Sequence, residues 1–419
     1  MKLRPNIGSG VFVANGRALT MATVLMLSFL LHLTMLPFTL GGSPIGDAGN
    51  YIVMAKNIIA GRGMVIDDPW IVSNLRAFYP PAYPALVALV GWAVPIKAST
   101  LVGLNFLIDV ATASAILWLA KLCGSRHGEI AAVAWLIWPS TFLAAPLAQK
   151  ESLVALLFVL TTALTLYSSQ SLRLRGPIAL GVVAALLALT QPSIAFLPAF
   201  IALVLLKEFP SPRAWFATMA IAALAATAVL MPWWIRNYLL FERFVPLTTA
   251  SGMTLWIGIQ PGGQWVPAPQ RLLAPELEMS RLAGLEAWTW IKAHPGHYVY
   301  DCLIKGFRML FLNEAIPLEL EKMKTPRPVP VHALTFLTSI THFALIAATA
   351  ILIFKRGGLM ARVLLACLAY FFIFQIWFVG AERLRGHMTP IALVLVAGWA
   401  GQAWAARKYD VAEAATLAG

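Results

Sequence analysis

Asp47-Ala48-Gly49-Asn50-Tyr51-Ile52-Val53-Met54-Ala55-Lys56-Asn57-Ile58-Ile59-Ala60 follows directly on an apolar run at 19–40. Its apolar residues at 51, 52, 54, 55, 58 and 59 recur at helical spacing. Gly61 and Gly63 stop the pattern. A bilayer crossing takes about 20 apolar residues, so this segment is too short and too polar to cross. It reads as an amphipathic helix lying on a membrane surface. The run before it is then a span, and the chain an all-α polytopic membrane protein.

The composition agrees. Of 419 residues, 60% are hydrophobic and 12% charged, against roughly 45–50% and about 25% in soluble globular chains. Mean hydropathy is +0.77. These values exclude a secreted protein, a nucleic-acid-binding domain and a disordered chain. The net charge, 31 basic minus 18 acidic or +13, therefore reports orientation rather than a nucleic-acid partner. The N-terminus shows no cleavable signal pattern. Cys123, Cys302 and Cys367 fall in different layers, so no disulfide is expected.

About ten spans are predicted, near 19–40, 99–121, 128–145, 152–169, 177–190, 193–206, 214–232, 331–354, 359–379 and 390–405. Lys2, Arg4 and Arg17, then Lys121 and Arg126, Arg173 and Arg175, Lys207 and Arg213, Lys355 and Arg356, and Arg407 and Lys408 all thread to one side. The positive-inside rule makes that side cytoplasmic, with both termini there. Two long segments, 41–98 and 233–330, and two short turns, 146–151 and 380–389, lie outside. The organisation is a membrane module over 1–232 that includes the first outer loop at about 41–98, an outer segment over 233–330 and a second membrane module over 331–419. Within the outer segment, helices are predicted from 275 to 294 and from 296 to 312. Its start is rich in Trp256, Trp265, Pro and Gly, aromatic residues that anchor a surface or stack on sugars.

The outer face carries the chemistry. Asp47 reads as a helix N-cap and, compatibly, as a general base at the membrane surface, with Tyr51 one turn on. Arg76-Ala77-Phe78-Tyr79-Pro80-Pro81-Ala82-Tyr83-Pro84 leads into a second short apolar helix. Pro232-Trp233-Trp234-Ile235-Arg236-Asn237-Tyr238 closes a span, and Glu382-Arg383-Leu384-Arg385-Gly386-His387-Met388-Thr389-Pro390 makes a late turn.

In this order, these motifs resemble the GT-C superfamily of polyprenyl-phosphate-dependent glycosyltransferases. The bacterial relatives of the protein O-mannosyltransferases and the lipid A aminoarabinose transferase are the nearest in pattern. The resemblance runs from about residue 20 to 400. It departs at Ala48, where many members have Glu after the Asp. It implies a bacterial cytoplasmic membrane with an outward-facing site, a polyprenyl-phosphate-sugar donor, and a glycan, lipid or protein acceptor. It also implies an inverting transfer of one sugar with Asp47 as catalytic base.

That chemistry has physical demands of its own. One carboxylate must take the acceptor proton, and fixed cations must meet the charge growing on the departing phosphate. Lys150, Arg236, Arg383 and Arg385 sit in short outer turns or at span ends, against the orientation rule, and are the candidate phosphate ligands. Arg236 reads equally as a cation snorkelling beside Trp233 and Trp234. Tyr51, Arg76, Tyr79, Tyr83 and His387 are candidate substrate contacts. Asp67 and Asp68 are the nearest other outer acids, in an ordinary turn motif. Asp109, inside the second span, is expected to bond Asn105 on the same helix face. No cofactor is expected and no metal ligand set is assigned, although a divalent ion on Asp47 stays open. A polymerase or ligase using polyprenyl-diphosphate oligosaccharide is the alternative function, and a transporter or flippase the third.

Overall fold

The computed structural model describes residues 8–42, 44, 46–68, 71–72, 74–125, 127–171, 173–263, 266–311, 315–323, 328–378 and 382–417. Residues 8–20, 262, 315, 382–384 and 404–417 are described by backbone only. Eighteen α-helices are defined there. The first half contains α1 (Gly8–Leu33), α2 (Leu36–Thr39), α3 (Gly46–Ile59), α4 (Ala82–Ala93), α5 (Ala98–Leu122), α6 (Gly128–Leu136), α7 (Pro139–Ala144), α8 (Glu151–Gln170) and α9 (Arg175–Thr190). The second half contains α10 (Leu197–Val204), α11 (Pro212–Phe241), α12 (Ser251–Gly258), α13 (Glu276–Ala293), α14 (Pro295–Phe311), α15 (Ala315–Lys322), α16 (Val331–Arg356), α17 (Leu359–Tyr370) and α18 (Thr389–Leu417). Among the described residues the only extended pairing is an isolated bridge between Ile66 and Leu75.

Among the described residues, five stretches are long and apolar enough to cross a membrane: Met21–Thr39, Ala98–Leu122, Glu151–Gln170, Pro212–Phe241 and Val331–Arg356. The expected spans at 128–145, 177–190, 193–206 and 359–379 are shorter or broken helices. Proline explains two of the breaks. Pro139 restarts the helix after Leu136, and Pro192 opens a 3-10 turn between α9 and α10. The span expected to end at 232 instead continues through Pro232 to Phe241, and Glu242 ends it in a left-handed conformation at φ 53°. Where α9 meets α11, a side chain on Gly181 would come within 2.1 Å of the Ala222 carbonyl oxygen. Small residues of this kind let two membrane helices approach backbone to backbone.

The core has two layers. One lies among the spans, where Ile116, Leu119, Trp135, Phe158, Val363 and Ile391 pack together. The other joins the outer segments. Tyr51, Met54 and Tyr83 of the first loop share it with Met253, Met279 and Met309 of the second and with Ile376 at the end of the α17 region. Both outer segments thus form one packed cap over the helix bundle.

Asp109 does not bond Asn105. Its Oδ2 lies 3.0 Å from His32 Nε2 in α1, with both side chains fully buried. His32 Nδ1 faces the Ser28 carbonyl at 2.7 Å. Asn105 donates instead to the Ala145 and Leu147 carbonyls at 2.8 and 3.2 Å. The turn after α7 leaves carbonyls that Asn105 satisfies, while the Asp109 carboxyl finds its polar partner on α1.

Candidate active site

Asp47 lies in the first turn of α3, inside the helix rather than at its cap. The amide groups exposed at a helix start favour a carboxylate there. The helix ends at Ile59, and Gly61 and Gly63 take φ of 72° and 75°, a left-handed turn that glycine adopts without strain. That turn sends the chain back along α3 to bring Asp68 and Tyr79 to its start. Asn50, three residues after Asp47, donates to Asp68 Oδ2 at 2.7 Å and to the Tyr79 hydroxyl at 2.8 Å. Tyr79 donates to the same Asp68 oxygen at 3.0 Å. Burial, with the charges of Asp47 and then Asp68 beside it, pushes the Tyr79 phenol well above its usual range. Asp68 is thus engaged in a closed network around the start of α3.

Tyr51 and Tyr83 are fully buried. The Tyr51 ring meets Tyr79 and Tyr83 edge-on, with centroids 5.7 and 5.5 Å away. The Lys150 ammonium lies 5.8 Å from the centre of the Tyr51 ring, within cation–π range. Lys150 immediately precedes α8, and Glu151 opens it. Burial, then the Glu151 charge, raise the Tyr83 phenol above its usual range. Asp47, Tyr51, Tyr79, Tyr83 and Lys150 are therefore one cluster.

Gln149 and Glu151, which flank Lys150, line a cleft together with Glu319, His342 and Arg385 among others. Arg385 is buried and donates to the Met309 carbonyl of α14. His387 is buried too, but its ring meets Phe158 at 5.1 Å, in the wall of the bundle. It packs there rather than facing the cleft. The backbone of Arg383 lies in the 3-10 turn Glu382–Met388 with Arg385, while its side chain lies outside the described residues.

Arg236 and Arg76 gather elsewhere. The Arg236 guanidinium sits 4.6 Å over the Trp233 ring and donates to the Arg76 carbonyl at 3.0 Å. With Arg62 they line a separate open cleft. Arg62 follows the end of α3, and Asp47 stands at its start, about 18 Å along the axis at 1.5 Å per residue. Trp256 neither anchors nor stacks. It is buried and donates to Glu286 at 2.9 Å. Trp265 lies outside the described residues. Glu151, Gln149 and His342 escaped the sequence reading. The available signal was the polar triplet Gln149-Lys150-Glu151 in an outer turn four residues before an unbroken apolar run.

The arrangement sets an ionisable carboxylate, three phenol rings and an ammonium beside a cleft with one buried guanidinium. It can accept a proton at one end and hold an anion at the other.

No protein-family model matches the chain, and no curated protein matches it. Its fold does match solved structures. The apo oligosaccharyltransferase of Archaeoglobus fulgidus aligns at a TM-score of 0.57 and 14% identity, over 94% of this chain and 52% of that one. The same enzyme in complex with Zn and sulfate gives 0.56 at 16% identity, over 94% and 51%. ArnT from Cupriavidus metallidurans bound to undecaprenyl phosphate gives 0.46 at 12% identity, over 90% and 77%. The chain spans about half the length of the archaeal enzyme. Zinc in that neighbour raises the question of a metal here. Among the described residues no three His, Cys, Asp or Glu side chains converge. The chain, with its helical bundle and its α3 helix beyond the first apolar helix, thus shares the fold of the archaeal oligosaccharyltransferase.

Proposed function

We propose that the chain is an inverting glycosyltransferase that moves one sugar from a polyprenyl phosphate to an acceptor nucleophile on the outer side of the membrane. One observation carries this reading. The cleft adjoins an apolar groove, and His342, Arg385 and Thr389 line both. The groove follows α16 from His342 to Ile353, about 16 Å at 1.5 Å per residue. A charged head opening into an apolar trough suits an amphiphile with a single phosphate and a long hydrocarbon chain.

The chemistry then divides among named groups. Arg385 and Lys150 meet the phosphate, and the donor sugar lies toward Tyr51 and Asp47. The Asp47 carboxylate takes the proton of the acceptor hydroxyl as its oxygen bonds to the anomeric carbon. The bond from that carbon to the phosphate oxygen breaks, its electron pair stays on the phosphate, and the two cations stabilise the charge. A single displacement inverts the anomeric carbon.

Purified protein in lipid vesicles, given radiolabelled polyprenyl-phosphate sugars and a membrane extract as acceptor, tests this. Transfer is expected, and Asp47→Asn should lower it about 10²–10⁴-fold while the protein still binds the donor. Full activity in a folded Asp47→Asn protein removes Asp47 as the base. Transfer only from diphosphate-linked oligosaccharides replaces the reading with the polymerase or ligase alternative.

A further inference from the structure

The cleft at the far end of α3 has a composition of its own. Arg62, Arg76 and Arg236 line it beside Pro232, Ile235 and Leu239 of α11. Its open volume is roughly 1220 Å³. Each guanidinium is held by an asparagine oxygen, not by a carboxylate. Arg62 donates to Asn57 Oδ1 at 2.9 and 2.6 Å, Arg76 to Asn74 Oδ1 at 3.1 Å, and Arg236 to Asn237 Oδ1 at 2.8 Å. Among the described residues none of the three makes an ion pair. The nearest acid acting on Arg236 is Glu276. Its oxygens already accept from the Arg76 and Ala77 amides and from the Thr249 hydroxyl. A neutral clamp orients a guanidinium without cancelling its charge, so three positive charges converge with N–H groups to spare.

The other wall is apolar and belongs to a span. Ile235, Leu239 and Leu240 are exposed near the C-terminal end of α11, and on the membrane reading of α11 that end lies where headgroup and hydrocarbon regions meet. Arginine forks and an aliphatic flank at that depth match a phosphate with acyl chains below it.

We propose that this cleft is a second lipid site, taking the phosphate headgroup of an anionic glycerophospholipid of the outer leaflet and separate from the donor cleft. Arg76 and Arg236 belong to this lipid and not to the sugar donor. The site depends on the membrane reading of α11 and not on transferase activity, so it stands or falls without the sugar chemistry.

The test is native mass spectrometry of the full chain released from nanodiscs of equal parts phosphatidylglycerol and phosphatidylcholine. One phosphatidylglycerol is expected to stay bound in preference to phosphatidylcholine. Polyprenyl phosphate should add to it rather than displace it, and millimolar inorganic phosphate should leave it in place. Arg62→Gln with Arg76→Gln should lower the retained fraction about tenfold or more, the loss of two charged contacts. Arg62→Gln alone, at an exposed residue held only by Asn57, should lower it measurably with no change in the unfolding midpoint. Undiminished retention in a folded double variant overturns the site, as does one-for-one displacement by polyprenyl phosphate. Displacement by inorganic phosphate replaces the lipid with a free anion and overturns the proposal equally.

Discussion

Tyr83 shows how one buried atom separates structure from function. Its ring is fully buried against Tyr51, and among the described residues its hydroxyl has no hydrogen-bond partner. A buried hydroxyl without a partner costs about 1–3 kcal/mol. Tyr83→Phe is therefore expected to keep or raise the unfolding midpoint in detergent. A fall in donor kcat/KM in the same variant would mean that the hydroxyl finds its partner on the substrate. The His32–Asp109 pair behaves oppositely, because each side chain gives the other a polar partner where both are fully buried. Asp109→Leu leaves a buried imidazole nitrogen without its partner, and a loss of about 1–3 kcal/mol is expected, read as the thermal midpoint. His32→Leu with Asp109→Leu should recover part of that loss.

Among the elements, α14 decides where the late turn sits. Tyr298 donates to the Trp377 carbonyl, and fully buried Lys305 donates to the Phe378 and Gly258 carbonyls at 2.9 and 3.0 Å. Arg385 returns to Met309 on the same helix. Burial lowers the Lys305 amine below its ordinary value, but two carbonyl acceptors suit its charged form. Lys305→Met is expected to raise the donor KM more than it lowers kcat, because Arg385 loses its mooring while Asp47 is untouched. A uniform loss of both, with a lowered midpoint, would assign Lys305 to packing alone. At the crossing of α12 and α13, a side chain on Gly252 would stand 1.7 Å from the Ser280 carbonyl oxygen. Gly252→Ala should therefore cost about 1–3 kcal/mol, measured by thermal unfolding.

At the scale of the whole molecule, local order was legible and long-range pairing was not. The α3 helix followed from apolar spacing and two glycines, and α13 and α14 lie where 275–294 and 296–312 predicted them. The aromatic cluster around Asp47 rests on residues already singled out by type. The partner of Asp109 was hidden because His32 is 77 positions away, and no periodicity encodes which helices become neighbours. The separation of Arg236 from Lys150 was hidden for a related reason. Both stand near the ends of long apolar helices, and only the direction of α3 distinguishes the two places.

The trough beneath Arg385 has partly exposed walls at Ile346, Ala350 and Ile353, so it opens sideways as well as upward. An amphiphile entering there never leaves the leaflet. Its supply is then a two-dimensional encounter, counted in molecules per unit of surface. Turnover should follow the mole fraction of donor among the lipids, and diluting the donor with inert phospholipid at constant bulk concentration should slow the reaction in proportion. A rate that follows bulk concentration alone would mean entry from water.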